Sequence, residues 1–303
     1  MLGKLIKHEW KATWKFPALI SLFVVVLTFL GVLSFKAPFW NNLITGNIQK
    51  ITFFDMAAFA LLAMYFVYIC IALYAIMIYF AIRFYKNMYT DEGYLSHTLP
   101  VKPSAHIFSK TLVSGTWYIG ATVLMLVSMI WLLYAFMSTI FTSAGITSAD
   151  MAELSALGLN FSLSHFAEAF NSISSMPFWV FAVLLIFTGI FSCYSSMLII
   201  YVCISIGQLF KKHKVIASIL TYLVVTTIMS TVLTIAMLPA SFNMMLNGDY
   251  FALMESADPI VLMVAPYAMM APMFIVSVVC TVVFSVVSYF ITEFIMRRKL
   301  NLD

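Results

Sequence analysis

Six long runs of apolar residues, almost free of charge, constrain this chain more than any other feature. They fall at roughly Pro17–Phe35, Met56–Ile82, Leu112–Phe141, Phe178–Ile206, Val215–Leu238 and Met270–Phe294. Apart from Glu293 near the end of the sixth, none contains Asp, Glu, Lys, Arg or His. A helix crossing the hydrocarbon core of a bilayer needs about 20 mostly apolar residues, and each run is near or beyond that length. Membrane strands alternate apolar and polar positions, whereas these runs are continuous, so a β-barrel is excluded. Composition closes the alternatives. Hydrophobic residues make up 63% of the 303 positions and charged residues 9%, against about 25% charged in an average soluble domain. So few charges could neither clothe a water-soluble surface nor keep a chain disordered. The expected fold is an all-α polytopic membrane protein with six transmembrane helices in a single domain spanning 1–303.

Charge gives the orientation. Of the 16 Lys and Arg, 14 lie in residues 1–16, in the loop 83–111, in 207–214 and in the C-terminal tail. Only Lys36 and Lys50 belong to the other set of loops, which instead holds Asp55, Asp150, Glu153, Glu168, Asp249, Glu255 and Asp258. Basic residues in short loops mark the cytoplasmic face. Both termini and the loop 83–111 are therefore expected inside, and 142–177 with 239–269 outside. The sequence pI of 8.8 then reflects topology rather than nucleic-acid binding. The first run is too long for a secretory h-region and no small-residue cleavage site follows at Lys36-Ala37-Pro38, so it is expected to remain as an anchor.

What the runs lack bears on function. Pumps and secondary transporters keep ionisable residues at membrane depth, and intramembrane hydrolases need a His, an Asp pair or an activated Ser. No span interior offers an ionisable group, so catalysis by this chain is not expected. Cys70, Cys193, Cys203 and Cys280 all lie inside spans without a CxxC pair, and no His stands near a second ligand type, so no metal site is expected. The chain also lacks a GxxxxGK[ST] phosphate loop, and no cytoplasmic segment has room for the parallel sheet such a loop requires. Energy for uphill movement would have to come from another subunit.

Two inner segments look suited to docking. Within residues 1–16, Lys4, Lys7, Lys11 and Lys15 fall within about 80° on a helical wheel at 100° per residue. Leu2, Leu5, Ile6, Trp10 and Trp14 occupy the rest of the wheel. That is an amphipathic interfacial helix facing membrane lipid. Glu9 interrupts its apolar arc and calls for a partner. In the second segment the periodicity of span two carries on past the membrane edge, predicting a helix that stops near Gly93. Leu99-Pro100 and Lys102-Pro103 favour an extended turn, and Ser104 can cap the next helix. Tyr89, Tyr94, Leu95 and Leu99 are unusual solvent-facing choices for so short a loop.

The stretches Asp91-Glu92-Gly93-Tyr94-Leu95, Thr98-Leu99-Pro100-Val101 and Ser109-Lys110 resemble the first cytoplasmic loop of bacterial type-2 ATP-binding-cassette exporter permeases. The Lys7-His8-Glu9-Trp10-Lys11 stretch, the six spans and the inward termini are similar to that family as well. By motif the resemblance covers about 40 residues; by architecture, the whole chain. It implies a transmembrane subunit in the cell membrane that pairs with a second permease subunit, identical or paralogous, and with cytoplasmic ATP-binding subunits. ATP and Mg would sit on those partners and no cofactor on this chain. The implied coupling loop places Asp91, Glu92, Tyr94, Leu95, Leu99 and Pro100 against the ATPase. The cargo would be a peptide, lipid or amphiphilic compound. The alternative class is a non-transporting membrane anchor or regulatory subunit.

Two helix faces could line a path. Tyr65, Tyr68 and Tyr79 lie within about 60° of one another on span two. Thr226, Thr227, Ser230, Thr231 and Thr234 share a hydroxyl face about 140° wide on span five. Either face could instead bond across helices or back to its own backbone. On span four, Gly189 with Cys193 and Ser192 with Ser196 form small-xxx-small pairs suited to close helix contact. Outside, Ser148 could cap a short helix running towards Glu168. The apolar run Pro259–Met270, broken by Pro266, reads as a re-entrant or interfacial segment too short to cross.

Overall fold

The computed structural model describes residues 2–44, 53–90, 103–146, 150, 163–174, 176–210, 212–246 and 259–298. Among these no strand occurs. The helices are α1 (Leu2–Thr13), α2 (Lys15–Ser34), α3 (Pro38–Ile44), α4 (Phe53–Tyr89) and α5 (Pro103–Ser143), followed by α6 (Leu163–Ile173), α7 (Phe178–Gly207), α8 (Lys214–Leu246) and α9 (Pro259–Arg298). Six of them, α2, α4, α5, α7, α8 and α9, contain stretches long and apolar enough to cross a membrane, which makes this a multi-pass membrane protein. The interior of a bilayer offers no water to bare N–H and C=O groups, so uninterrupted helix is the backbone such sequences must adopt.

Boundaries differ from the composition-based ones in a consistent direction, because helices run on past the apolar cores. With 37 and 41 residues, α4 and α5 are about 55 Å and 62 Å long, well beyond a hydrocarbon layer of about 30 Å. Pro103, not Ser104, opens α5, as suits a residue with fixed φ and no N–H to satisfy in the first turn. The described part of α4 ends at Tyr89, ahead of Gly93. The run Pro259–Met270 is no separate re-entrant element. It forms the first turns of the 40-residue α9, which continues through Pro266 and Pro272. Likewise α8 passes Pro239 and reaches Leu246.

The chain divides into two compact units. The first comprises Met1–Arg83 and Leu112–Ser155. In it α1 forms the expected amphipathic helix and is set off from α2 at Trp14. Its core gathers Phe35, at the cap of α2, with Trp40, Tyr65, Leu132 and Ala135 from α3, α4 and α5. Ring pairs Phe35–Trp40 at 5.1 Å and Phe35–Phe136 at 5.5 Å tie the turn after α2 to α5. Within reach of the same core region, Gly31 of α2 leaves room for the Leu132 side chain.

The second unit comprises Phe84–Thr111 and Ala156–Asp303. Here α9 packs on α7 and α8, and α6 lies across α9 and α7. Phe170 of α6 and Val264, Ala268 and Ala271 of α9 make one buried cluster, with Phe178 and Phe181 of α7 against it. The Asn171 side-chain oxygen accepts the Phe178 backbone N–H at 2.7 Å, tying α6 to the start of α7. Burial along α7 is concentrated in its second half, from Cys193 to Gly207, where Tyr201 to Ser205 are buried consecutively. In contrast, no described residue of α8 is buried.

Candidate functional site

Three groups of residues carried functional expectations, and the structure treats them differently. Asp91, Glu92, Tyr94, Leu95, Leu99 and Pro100 lie outside the described residues, as does Ser148. What is described is the pair of helix ends that flank them, 84–89 of α4 with Thr90 after it, and 103–111 of α5.

Those ends are embedded in the second unit. The Phe84 ring stacks on Tyr201 of α7, with centroids 3.9 Å apart and planes inclined by 14°. The Tyr89 hydroxyl donates to Ser205 Oγ at 2.7 Å, and Ser205 in turn donates to the Tyr201 carbonyl at 2.7 Å. Phe84 and Tyr89 meet edge to face at 6.0 Å. From the other helix end, the Ser104 carbonyl accepts a long bond of 3.4 Å from the Tyr289 hydroxyl of α9. Phe84, Met88, Ile107, Tyr201 and Ser205 are all buried. Tyr89, an unusual solvent-facing choice on the sequence, is instead fastened to α7. An apolar body with one polar tip suits a position where the ring is covered and the hydroxyl has a single partner.

Within the first unit, α1 is clamped to the end of its neighbour. Glu9, the acidic residue interrupting the apolar arc, meets Arg83 of α4 at 3.5 Å, with the two side chains 15% and 26% exposed. Trp10 stacks on Trp117 of α5 at 4.9 Å. Thr13 is buried and donates to the Glu9 carbonyl at 2.8 Å. Lys4, Lys7, Lys11 and Lys15 remain exposed on the opposite arc.

The tyrosine face of span two makes specific contacts in the first unit. Tyr65 has no solvent-accessible surface and its hydroxyl lies 3.0 Å from Ser128 Oγ of α5. Ser128 sends its own proton to the Met125 carbonyl at 2.8 Å, so Tyr65 is the donor. Tyr68 donates to the Ile20 carbonyl of α2 at 3.1 Å, and Tyr79 stacks on Phe16 at 4.5 Å. Along α8 the hydroxyls turn inward on their own backbone. Thr226, Thr227, Ser230, Thr231 and Thr234 donate to the carbonyls of Tyr222, Leu223, Thr227, Thr227 and Ser230 at 2.7–2.9 Å. Thr226 is half-buried and the other four are exposed.

The small-residue pairs of span four are divided: Cys193 is buried, whereas Gly189 faces open space. A Cβ added at Gly189 would meet nothing within 4 Å, and the Ser192 hydroxyl bonds to the Gly189 carbonyl of its own helix. Close approach occurs one helix end later, at Gly207, where a Cβ would stand 2.7 Å from the Ser218 backbone. Sequence reading missed Phe84, Tyr201, Ser205 and Ser128 as contact residues. Ser128 and Ser205 carried a signal, as hydroxyls among the apolar residues of spans three and four. Among the described residues no group of three or more His, Cys, Asp or Glu side chains stands together as a metal would need.

Comparison with protein-family models, curated proteins and solved structures gives no match to this chain. The class of protein therefore rests on the fold: an all-helical, multi-pass membrane protein.

Proposed function

We propose that this chain is the transmembrane permease subunit of an ATP-binding-cassette exporter. It would move a peptide, lipid or amphiphilic compound across the cell membrane with ATP hydrolysed by a separate cytoplasmic subunit. The observation that carries the reading is the resemblance of residues 91–110 to the coupling loop of such permeases. Three further features support it: six spans without an ionisable interior, the absence of a phosphate loop, and an amphipathic helix ahead of the first span. The cytoplasmic position of both termini and of residues 91–102 follows from the distribution of Lys and Arg. A second permease subunit completes the assembly, and membrane lipid contacts the lysine arc of α1 through charge.

The test is co-purification. An ATPase carrying GxxxxGK[ST] should be retained by this chain from detergent extracts. Tyr94→Ala or Leu99→Ala should weaken its retention by about 1–3 kcal/mol at matched expression, the usual scale for a buried anchor. Cysteine labelling from outside should reach Ser155→Cys and miss Lys102→Cys. Undiminished retention in both alanine variants, or the reverse labelling pattern, would remove the coupling-loop assignment. Retention of the ATPase without movement of any compound would favour a non-transporting anchor.

A further inference from the structure

We propose that Phe84 and Tyr89 are positioning residues that make the end of α4 one mechanical body with α7, so that displacement of this end by a bound ATPase is delivered to α7. The inference rests on the permease reading for the source of the displacement, and on the packing alone for its destination.

Phe84 directly follows Arg83 on α4. Their side chains have different partners: Arg83 meets Glu9 in the first unit, while Phe84 stacks on Tyr201 in the second. Phe84 and Tyr89 belong to the same helix end. There, four side chains form a closed circuit. Phe84 stacks on Tyr201, the Tyr201 carbonyl accepts from Ser205, Ser205 accepts from Tyr89, and Tyr89 packs edge to face on Phe84. Tyr201 and Ser205 stand one turn apart on α7, so the circuit grips that helix at two levels. A single stack would let the helix end slide, and a single hydrogen bond would let it rotate. Together, in a largely buried setting, they leave neither freedom. The Tyr289 bond to the Ser104 carbonyl adds α9 at the start of α5. Residues that flank the expected ATPase contact are thereby joined to helices distant from them in sequence.

The experiment uses the full chain in lipid nanodiscs, alone and with its co-purified ATPase, and follows amide hydrogen exchange by mass spectrometry. For the chain alone, Tyr89→Phe or Phe84→Leu should raise exchange in 84–90 and 201–207 together, while 56–82 keeps its protection. Exchange in 201–207 that ignores both variants would overturn the proposal, whatever the ATPase does. With the ATPase bound, a non-hydrolysable ATP analogue should alter exchange in both segments of the unsubstituted protein. In Tyr89→Phe the response at 84–90 should persist, and that at 201–207 should fall about fivefold, the equilibrium effect of one hydrogen bond. A residue with a merely structural role would raise basal exchange yet leave the nucleotide response at 201–207 intact, and that result would also overturn the proposal. Failure of the permease reading would look different, because no ATPase would be retained.

Discussion

Replacing Gly207 with alanine sets two known effects against each other. Away from steric conflict, exchanging a helical glycine for alanine stabilises by at most about 1 kcal/mol, since it restricts the unfolded chain. At Gly207 the added Cβ would overlap Ser218 Oγ and stand 2.7 Å from both Ser218 Cα and N, against 3.4–4 Å for ordinary contact. The hydroxyl can be removed; the backbone cannot. Relief therefore requires α7 and α8 to separate by the missing several tenths of an ångström, in a region where Tyr201 to Ser205 are already buried. Overpacking of this kind costs about 1–3 kcal/mol. The clash outweighs the entropic gain, and Gly207→Ala should be destabilising by up to about 2 kcal/mol after the two terms are combined. The assay is thermal or denaturant unfolding in matched detergent. Two controls sharpen it. Ser218→Ala combined with Gly207→Ala should recover little, because the backbone conflict persists. Gly31→Ala meets only Leu132 Cδ1, at 2.8 Å, and a side-chain end can turn away, so it should cost less. If Gly207→Ala raised stability, or if Ser218→Ala restored it fully, the assigned approach of α7 to α8 would be wrong.

Other contacts give smaller, separable effects. Tyr65→Phe removes the hydroxyl donated to Ser128 yet preserves the ring, so it should cost about 0.6 kcal/mol and no more than about 1.7 kcal/mol in unfolding assays. Tyr65→Ala, which also empties a buried ring volume, should cost about 3–5 kcal/mol. His213 holds φ at 56°, a left-handed conformation disfavoured for side-chain-bearing residues. His213→Gly should accordingly stabilise by about 1 kcal/mol, and His213→Val should destabilise, both read from the same melting curves. Glu9→Gln weakens a half-buried ion pair worth about 1 kcal/mol at most in such surroundings, and should speed tryptic cleavage at Lys11 without altering cleavage at Lys212.

The spans and the N-terminal helix were legible in the sequence for a simple reason. Length without charge identifies a crossing helix, and the lysine arc opposite Glu9 requires 3.6-residue periodicity. Glu9 even announced its need for a partner, although nothing local named Arg83. Side-chain contacts within the apolar runs were not legible. A helix apolar all round has no preferred face, so nothing distinguished Phe84 and Tyr201 from the many other aromatic residues around them. Spacing alone also failed to separate Gly189 and Ser192, which are exposed, from Cys193, which is buried. A proline misled in a related way. Pro266 looked like a break, while the structure carries helix through it, as membrane helices can when neighbours re-satisfy the freed carbonyls.

The self-contained hydroxyls of α8 have a consequence for how this helix can behave. A transmembrane helix that bonds laterally through its serines and threonines is keyed to its neighbours, and turning it breaks those bonds. On α8 the hydroxyls from Thr226 to Thr234 spend their protons on the preceding turn of the same helix. These five hydroxyls travel with it. Swivelling α8 about its long axis changes which shapes face outward but forfeits none of these hydrogen bonds, so the hydroxyl face adds no polar resistance to torsion.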